Sequence, residues 1–347
     1  MPSLSLKSWW HAMARRPPPP RRTGASPTQP TLATVESAQR LFGPFSARDD
    51  LFTAALSQVS PSLEEGFRRY VEWLDRQGYT FGSCEEAPLR FDVRRAYLRY
   101  DVHVRDLFGA FVLAGLHERL EIPGSFQICW EHTRSEIEVS DIFLKLKAFD
   151  SRFVQFGLHC SPESSWLIAD RFAGRAEGLD AFVADGGSRG LMAEWLAAFE
   201  RDGHDAPILA AARRRADACL ADTVVSFRRH FGPAVTISGH GTPLAADYLE
   251  AARAEPRLTM LAPYLHSVEF LDRDRVRRHG FARELTRFES NRLPGPLVMF
   301  ENPVEDMAQR YAQRLSGGGG FVALFHPATW TGDQLLPFLD ALTVPAR

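Results

Sequence analysis

The stretch YLRYDVHVRD (residues 97–106) begins as a strand and ends as a cluster of chemistry. Tyr97, Leu98, Tyr100 and Val102 are apolar or β-favouring and predict a buried strand. Arg99, Asp101 and His103 stand at every second position. Residues i and i+2 of a strand share a face, so an acid and an imidazole leave the strand end on one side. A helical pattern, RDLFGAFVLAGLHERLEI, follows directly, with Leu107, Phe111, Leu113, Ala114 and Leu120 on its buried side. A strand that passes into a helix through polar residues is one half of a βα unit.

The same alternation runs downstream. SFQICW, RFVQFGLHC, AVTISGH, PLVMFEN and GGFVALFHP predict strands, and RLTMLAPYL and SVEFL are shorter strand candidates. VSDIFLKLKAF, PLAADYLEAARA, VEDMAQRYAQRL and TGDQLLPFLDAL predict helices. The class expected is therefore α/β with a mainly parallel sheet. A mostly helical region over residues 162–231 is longer than a simple βα connection, which suits an insertion that covers the substrate. Upstream, residues 35–77 are helical in pattern. SPSLEEGFRRYVEWLDRQGY has Ser60 as N-cap, Pro61 at the first position, a stripe of Phe67, Tyr70, Val71 and Leu74, and Gly78 as the stop. Residues 1–35, with MARRPPPPRRTGASPTQP, offer too little apolar surface to offset ordering and are expected to form a disordered tail. Residues 36–347 are expected to form one domain.

Composition excludes several classes. The chain has 347 residues, 45% hydrophobic and 24% charged, with a net charge of −2, which is globular and lacks the basic excess of a nucleic-acid binder. No apolar run reaches the ~18 residues of a membrane span. No apolar stretch follows the basic N-terminus, so a cytoplasmic location is expected. Cys84, Cys129, Cys160 and Cys219 form no CxxC pair and read as reduced, mostly buried thiols.

In parallel α/β folds chemistry gathers at the carboxyl ends of the strands. The predicted strand ends carry Asp101 and His103, Glu131 and His132, His159, His240, His266, Glu301 and Asn302, and His326. In GLHCSPES, Ser161 caps a helix opened by Pro162, which brings Glu163 round to His159. An imidazole and a carboxylate so placed suit zinc, manganese or cobalt; an acid in a first helical turn is equally an ordinary partner of the helix dipole. Cys160 should face the core.

These residues, in this order, resemble the polysaccharide deacetylase superfamily (carbohydrate esterase family four, the NodB-homology fold), and within it an atypical intracellular branch. QGYTFGS is similar to that branch's Gly-Tyr-x-Phe segment, and Arg99 to His103 to its Arg-His-Asp-Val-Asp strand. LEIPGSFQI loosely matches a Gly-Ile-x-Ala-Thr-Phe-Phe strand, and Gly157-Leu158-His159 a Gly-Leu-His motif. His240 to Pro243 resembles His-x-x-Pro; His326, Pro327 and Trp330 resemble His-Pro-x-x-Trp. The resemblance covers residues 60–340.

It implies a distorted (β/α) barrel with one divalent metal that removes an acyl group, usually N-acetyl, from a sugar. The implied general base is Asp101, and His326 is the acid for the leaving amine. The implied metal ligands are His103, His159 and Glu163. Arg99, His240, Tyr264 and Trp330 would line the substrate site, with Arg99 also holding Asp101 ionised. Three positions depart from the family pattern: His103 replaces an acid, Glu163 replaces a histidine, and the acid expected in a later strand motif falls near His266. The set left, two histidines and a carboxylate, still suits a hydrolytic metal with an open water position. Two rivals stand beside it. One is a sugar-binding or scaffold protein that has lost the metal. The other is a glycosidase using Glu131 and Glu301 as paired carboxylates.

Overall fold

The strand expected around residue 97 is β2 (Arg95–Val102), and each of its residues after Arg95 is buried. In this computed structural model the residues described are 32–86, 89–130, 140–161, 182, 185–240, 251–252, 254–261, 273–285, 297–299, 312, 315, 317–327, 336 and 339–341. Seven further strands are described: β1 (Thr80–Gly82), β3 (Gly124–Cys129), β4 (Val154–Cys160), β5 (Thr236–Gly239), β6 (Arg283–Glu284), β7 (Leu297–Met299) and β8 (Phe321–Phe325).

All the pairings are parallel, in the order β6-β5-β4-β3-β2-β8-β7. That order is cyclic in sequence. Each strand from β2 to β5 lies beside its successor, as β7 does, and β8 returns to pair with β2 through Ala96↔Phe321 to Tyr100↔Phe325. A doubly wound sheet reverses its strand order at a switch point, whereas a barrel does not. The sheet is therefore a curled half-barrel of the (β/α) kind; among the described residues no ladder joins β6 to β7. β1 pairs with Arg95 to Tyr97, the part of β2 that β3 does not reach.

The leader forms three helices, α1 (Leu32–Phe42), α2 (Arg48–Leu56) and α3 (Ser62–Arg76). Helix α1 starts inside the stretch expected to be a tail; residues 1–31 lie outside those described. Helix α3 buries Leu63, Phe67, Tyr70, Trp73 and Leu74 and stops as expected at Gly78, whose φ of 76° is open to glycine at no steric cost. Helix α4 (Leu107–Leu120) is buried on every side from Gly109 to His117, because the sheet and the leader helices cover opposite faces of it.

After α5 (Ser140–Lys145) and β4 come α6 (Gly187–Asp202) and the 25-residue α7 (Pro207–Phe231). The insertion builds a core of its own from Leu191, Met192, Trp195, Leu209 and Ala212. The second half of α7 packs with the half-barrel, with Leu220, Val224, Phe227 and Phe231 in the main core. One expectation is corrected: RLTMLAPYL does not begin as a strand, since Pro256–Leu261 is a 3₁₀ helix. Leu258 and Leu261, three apart, both enter the second core, which matches the three-residue period of such a turn. Helix α8 (Arg273–Arg278) precedes β6.

Side chains alternate across β2. Leu98, Tyr100 and Val102 join the outer core with α4, whereas Tyr97 packs with Cys84, Leu285 and Val322 in a separate inner cluster. Arg99 and Asp101 share the inner face with Tyr97. The inner face is polar above that cluster: Arg99, Asp101, Ser125, Gln127, His159, Thr236 and Ser238 are all buried. Such an interior is stable only when its polar groups are paired.

Candidate metal centre

Four histidines stand at the carboxyl ends of four strands. His159 is the penultimate residue of β4, and His103, His240 and His326 directly follow β2, β5 and β8. The parallel sheet puts those ends on one rim, and the curl brings them together. Ring centroids lie 5.4 Å apart for His103 and His159, 4.8 Å for His103 and His240, and 4.9 Å for His159 and His240. His326 stacks on His103 at 5.6 Å and 17°. Backbone ladders run past the strand ends and anchor the rim: Trp130 N–H donates to His159 O, and His240 N–H to Cys160 O.

The ligand atoms of His103, His159 and His240 all lie within 4.8 Å of one another. Two ligands of a tetrahedral zinc ion with bonds of about 2.1 Å stand ~3.4 Å apart, so small ring rotations close this set on one ion. Second partners orient two of the rings. His103 caps the 3₁₀ turn Val104–Asp106, and its Nδ1 lies 2.8 Å from Asp106 Oδ2, which also accepts the His103 backbone N–H at 2.9 Å. A carboxylate on the far nitrogen is a common support for a metal-binding imidazole. His159 Nδ1 lies 2.8 Å from Ser238 Oγ, so its Nε2 is the nitrogen turned to the rim. Cys129 Sγ lies 3.6 Å from His240 Nδ1. Burial, then the neighbouring His240, His103, Arg99 and His326, push the His159 imidazole well below its ordinary pKa. It is neutral at pH 7, as a metal-binding imidazole must be.

Asp101 stands beside this group, with Oδ2 3.6 Å from His159 Nε2. Arg99 Nε and Nη2 hold its two oxygens at 2.9 and 2.8 Å, and Nη1 donates to Leu285 O at 2.9 Å. The pair is only a few per cent exposed. A buried bidentate pair fixes the carboxylate's position.

The structure thus gathers Asp101, Arg99, His103, His159, His240 and His326 on one rim. His240, expected beside the substrate, lies in the same triangle as the two expected ligands His103 and His159. Glu163, Tyr264 and Trp330 lie outside the described residues, as do Glu131, His266 and Glu301. Asp106, Gln127, Ser238 and Cys129 join the site although no motif assigns them a role there. His103-Val-Arg-Asp106 has capping-box spacing, a legible signal for the first. Ser125 and Gln127, like Thr236 and Ser238, are polar at alternate positions in otherwise apolar strands, which is the signature of a polar barrel lumen.

The chain matches no protein-family model, no curated protein and no solved structure. The resemblance to the deacetylases therefore rests on the motif residues themselves.

Proposed function

We propose that this protein is a metal-dependent hydrolase that removes an acyl group, N-acetyl before others, from a sugar or sugar conjugate. The observation that carries the reading is the triangle His103, His159 and His240 with Asp101 at its side. Three imidazoles are a donor set for catalytic zinc, which keeps a fourth position open. Nitrogen donors favour zinc or cobalt over manganese. When bound, such an ion polarises an acyl carbonyl and supplies a water that is nucleophilic at neutral pH.

The chain's own groups perform the rest. Asp101, held by Arg99, accepts the attacking water's proton at Oδ2, the oxygen that faces His159. His326, stacked on His103, donates a proton to the departing amine. The acetamido-sugar substrate class comes from the motif resemblance.

The test is acetate release from acetamido sugars by zinc-loaded protein, alongside metal analysis. Activity that chelation removes, zinc restores and Asp101→Asn abolishes supports the reading. Zinc-saturated protein that hydrolyses no acyl sugar and binds sugars unchanged in Asp101→Asn supports a sugar-binding module instead.

A further inference from the structure

Beneath the histidine rim lies a buried hydrogen-bonded chain that spans three strands. Gln127 of β3 stands opposite Gly157 of β4, and His159 of β4 opposite Ser238 of β5. Gln127 does not stop at its neighbour. Its Nε2 donates to Ser125 Oγ at 2.7 Å and, across β4, to Thr236 Oγ1 of β5 at 2.9 Å. Gly157 permits this crossing, because a Cβ there would collide with Gln127 Nε2 and Thr236 Oγ1. The Gly of the Gly-Leu-His segment is thus the gap through which β3 reaches β5.

The chain has a direction. Both amide hydrogens of Gln127 go to hydroxyls, which leaves Oε1 as an acceptor. Ser238 Oγ donates to that Oε1 at 3.5 Å. A hydroxyl has one hydrogen, so Ser238 Oγ meets His159 Nδ1 as an acceptor, across 2.8 Å. Nδ1 then carries the imidazole proton, and Nε2 presents its lone pair toward Asp101 Oδ2 at 3.6 Å. The Arg99 guanidinium already stands on that oxygen at 2.8 Å, and the Nε2 lone pair stays turned to the rim as a ligand for a further cation.

We infer that Ser238, oriented by Gln127, is a positioning residue that holds His159 in the Nδ1–H tautomer with Nε2 presented to a metal. The inference rests on the metal reading for its purpose, but its tautomer is measurable without metal. Turned over, the same amide would donate to Ser238, Ser238 would donate to Nδ1, and the proton would sit on Nε2 (the opposite arrangement).

Long-range ¹⁵N–¹H correlation of the imidazoles in full-length, metal-stripped protein reads the tautomer directly. A chromophoric chelator competing for zinc reads affinity. The expected result is Nδ1–H for His159 in the native chain. Ser238→Ala should let the tautomers interconvert and weaken zinc binding about 10–100-fold, with Ser238→Thr restoring both. A native Nε2–H tautomer overturns the inference, and so does a Ser238→Ala protein with unchanged tautomer and zinc affinity within twofold. If the native protein takes up no zinc, the metal reading fails, and the native and Ser238→Ala tautomers alone decide this inference.

Discussion

His117 makes the stability of this protein depend on pH in a way that can be worked out from its neighbours. It lies in α4 and is fully buried. Its Nδ1–H donates to Ile122 O at 2.6 Å, and its Nε2 accepts the Tyr100 hydroxyl at 2.7 Å. Both nitrogens are engaged in the neutral form, and a second proton enters only by charging a buried ring and turning the Tyr100 hydroxyl round. Burial, opposed only in part by the Ile122 carbonyl, pushes the imidazole down to about 4 from 6.5. The unfolded chain therefore takes up a proton near pH 6.5, and the folded chain only near pH 4. Above pH 6.5 the two states bind protons equally and the full stability is present. Between 6.5 and 4 the unfolded state binds more, so stability falls as pH falls. Over that window the loss is about 3 kcal/mol, and about 2 kcal/mol of it falls between pH 7 and 4.5.

Urea unfolding at pH 7 and 4.5, native against His117→Gln, isolates this contribution from other titrating groups. Glutamine keeps a donor and an acceptor but does not titrate. The native protein's advantage over the variant should shrink by about 2 kcal/mol on acidification. An advantage that stays constant within ~0.5 kcal/mol would mean that His117 titrates alike in both states and carries no pH-dependent stability.

Other expectations follow from the same contacts. Tyr100→Phe deletes the donor to a buried Nε2 and should cost about 1–3 kcal/mol at pH 7 in the same urea assay, with little further cost in a His117→Gln background. Gly157→Ala forces a Cβ into Gln127 and Thr236; thermal melts should show a loss of about 1–3 kcal/mol. Arg99→Met strands the Asp101 charge in the barrel and should destabilise by about 3–5 kcal/mol, whereas Arg99→Met with Asp101→Leu should recover much of that. Asp106→Asn weakens the support of the His103 ring, and chelator competition should show zinc affinity about 10–100-fold lower.

Much of this arrangement is legible in the chain, for reasons that differ by residue. Asp101 and His103 announce themselves because a two-residue period breaks an apolar strand at its end. His159, His240 and His326 are legible because each closes an apolar run, and parallel strands place their ends together. That the sheet curls back so β8 pairs with β2 is a long-range fact that no local pattern contains. The choice of His240 as the third member of the triangle has the same origin, since it depends on how β5 sits beside β4. RLTMLAPYL misleads because a short apolar run suits a strand or a turn equally well. The second core, built by α6 and α7, decides for the turn by burying Leu258 and Leu261.

X-ray absorption at the zinc edge, on full-length protein loaded with one equivalent of zinc, reads the histidine triangle itself. The expected result is one tightly held ion with three imidazole nitrogens at about 2.0 Å, falling to two in His240→Ala. Protein that holds no zinc after desalting, or a bound ion whose imidazole count is the same in His240→Ala, would contradict it.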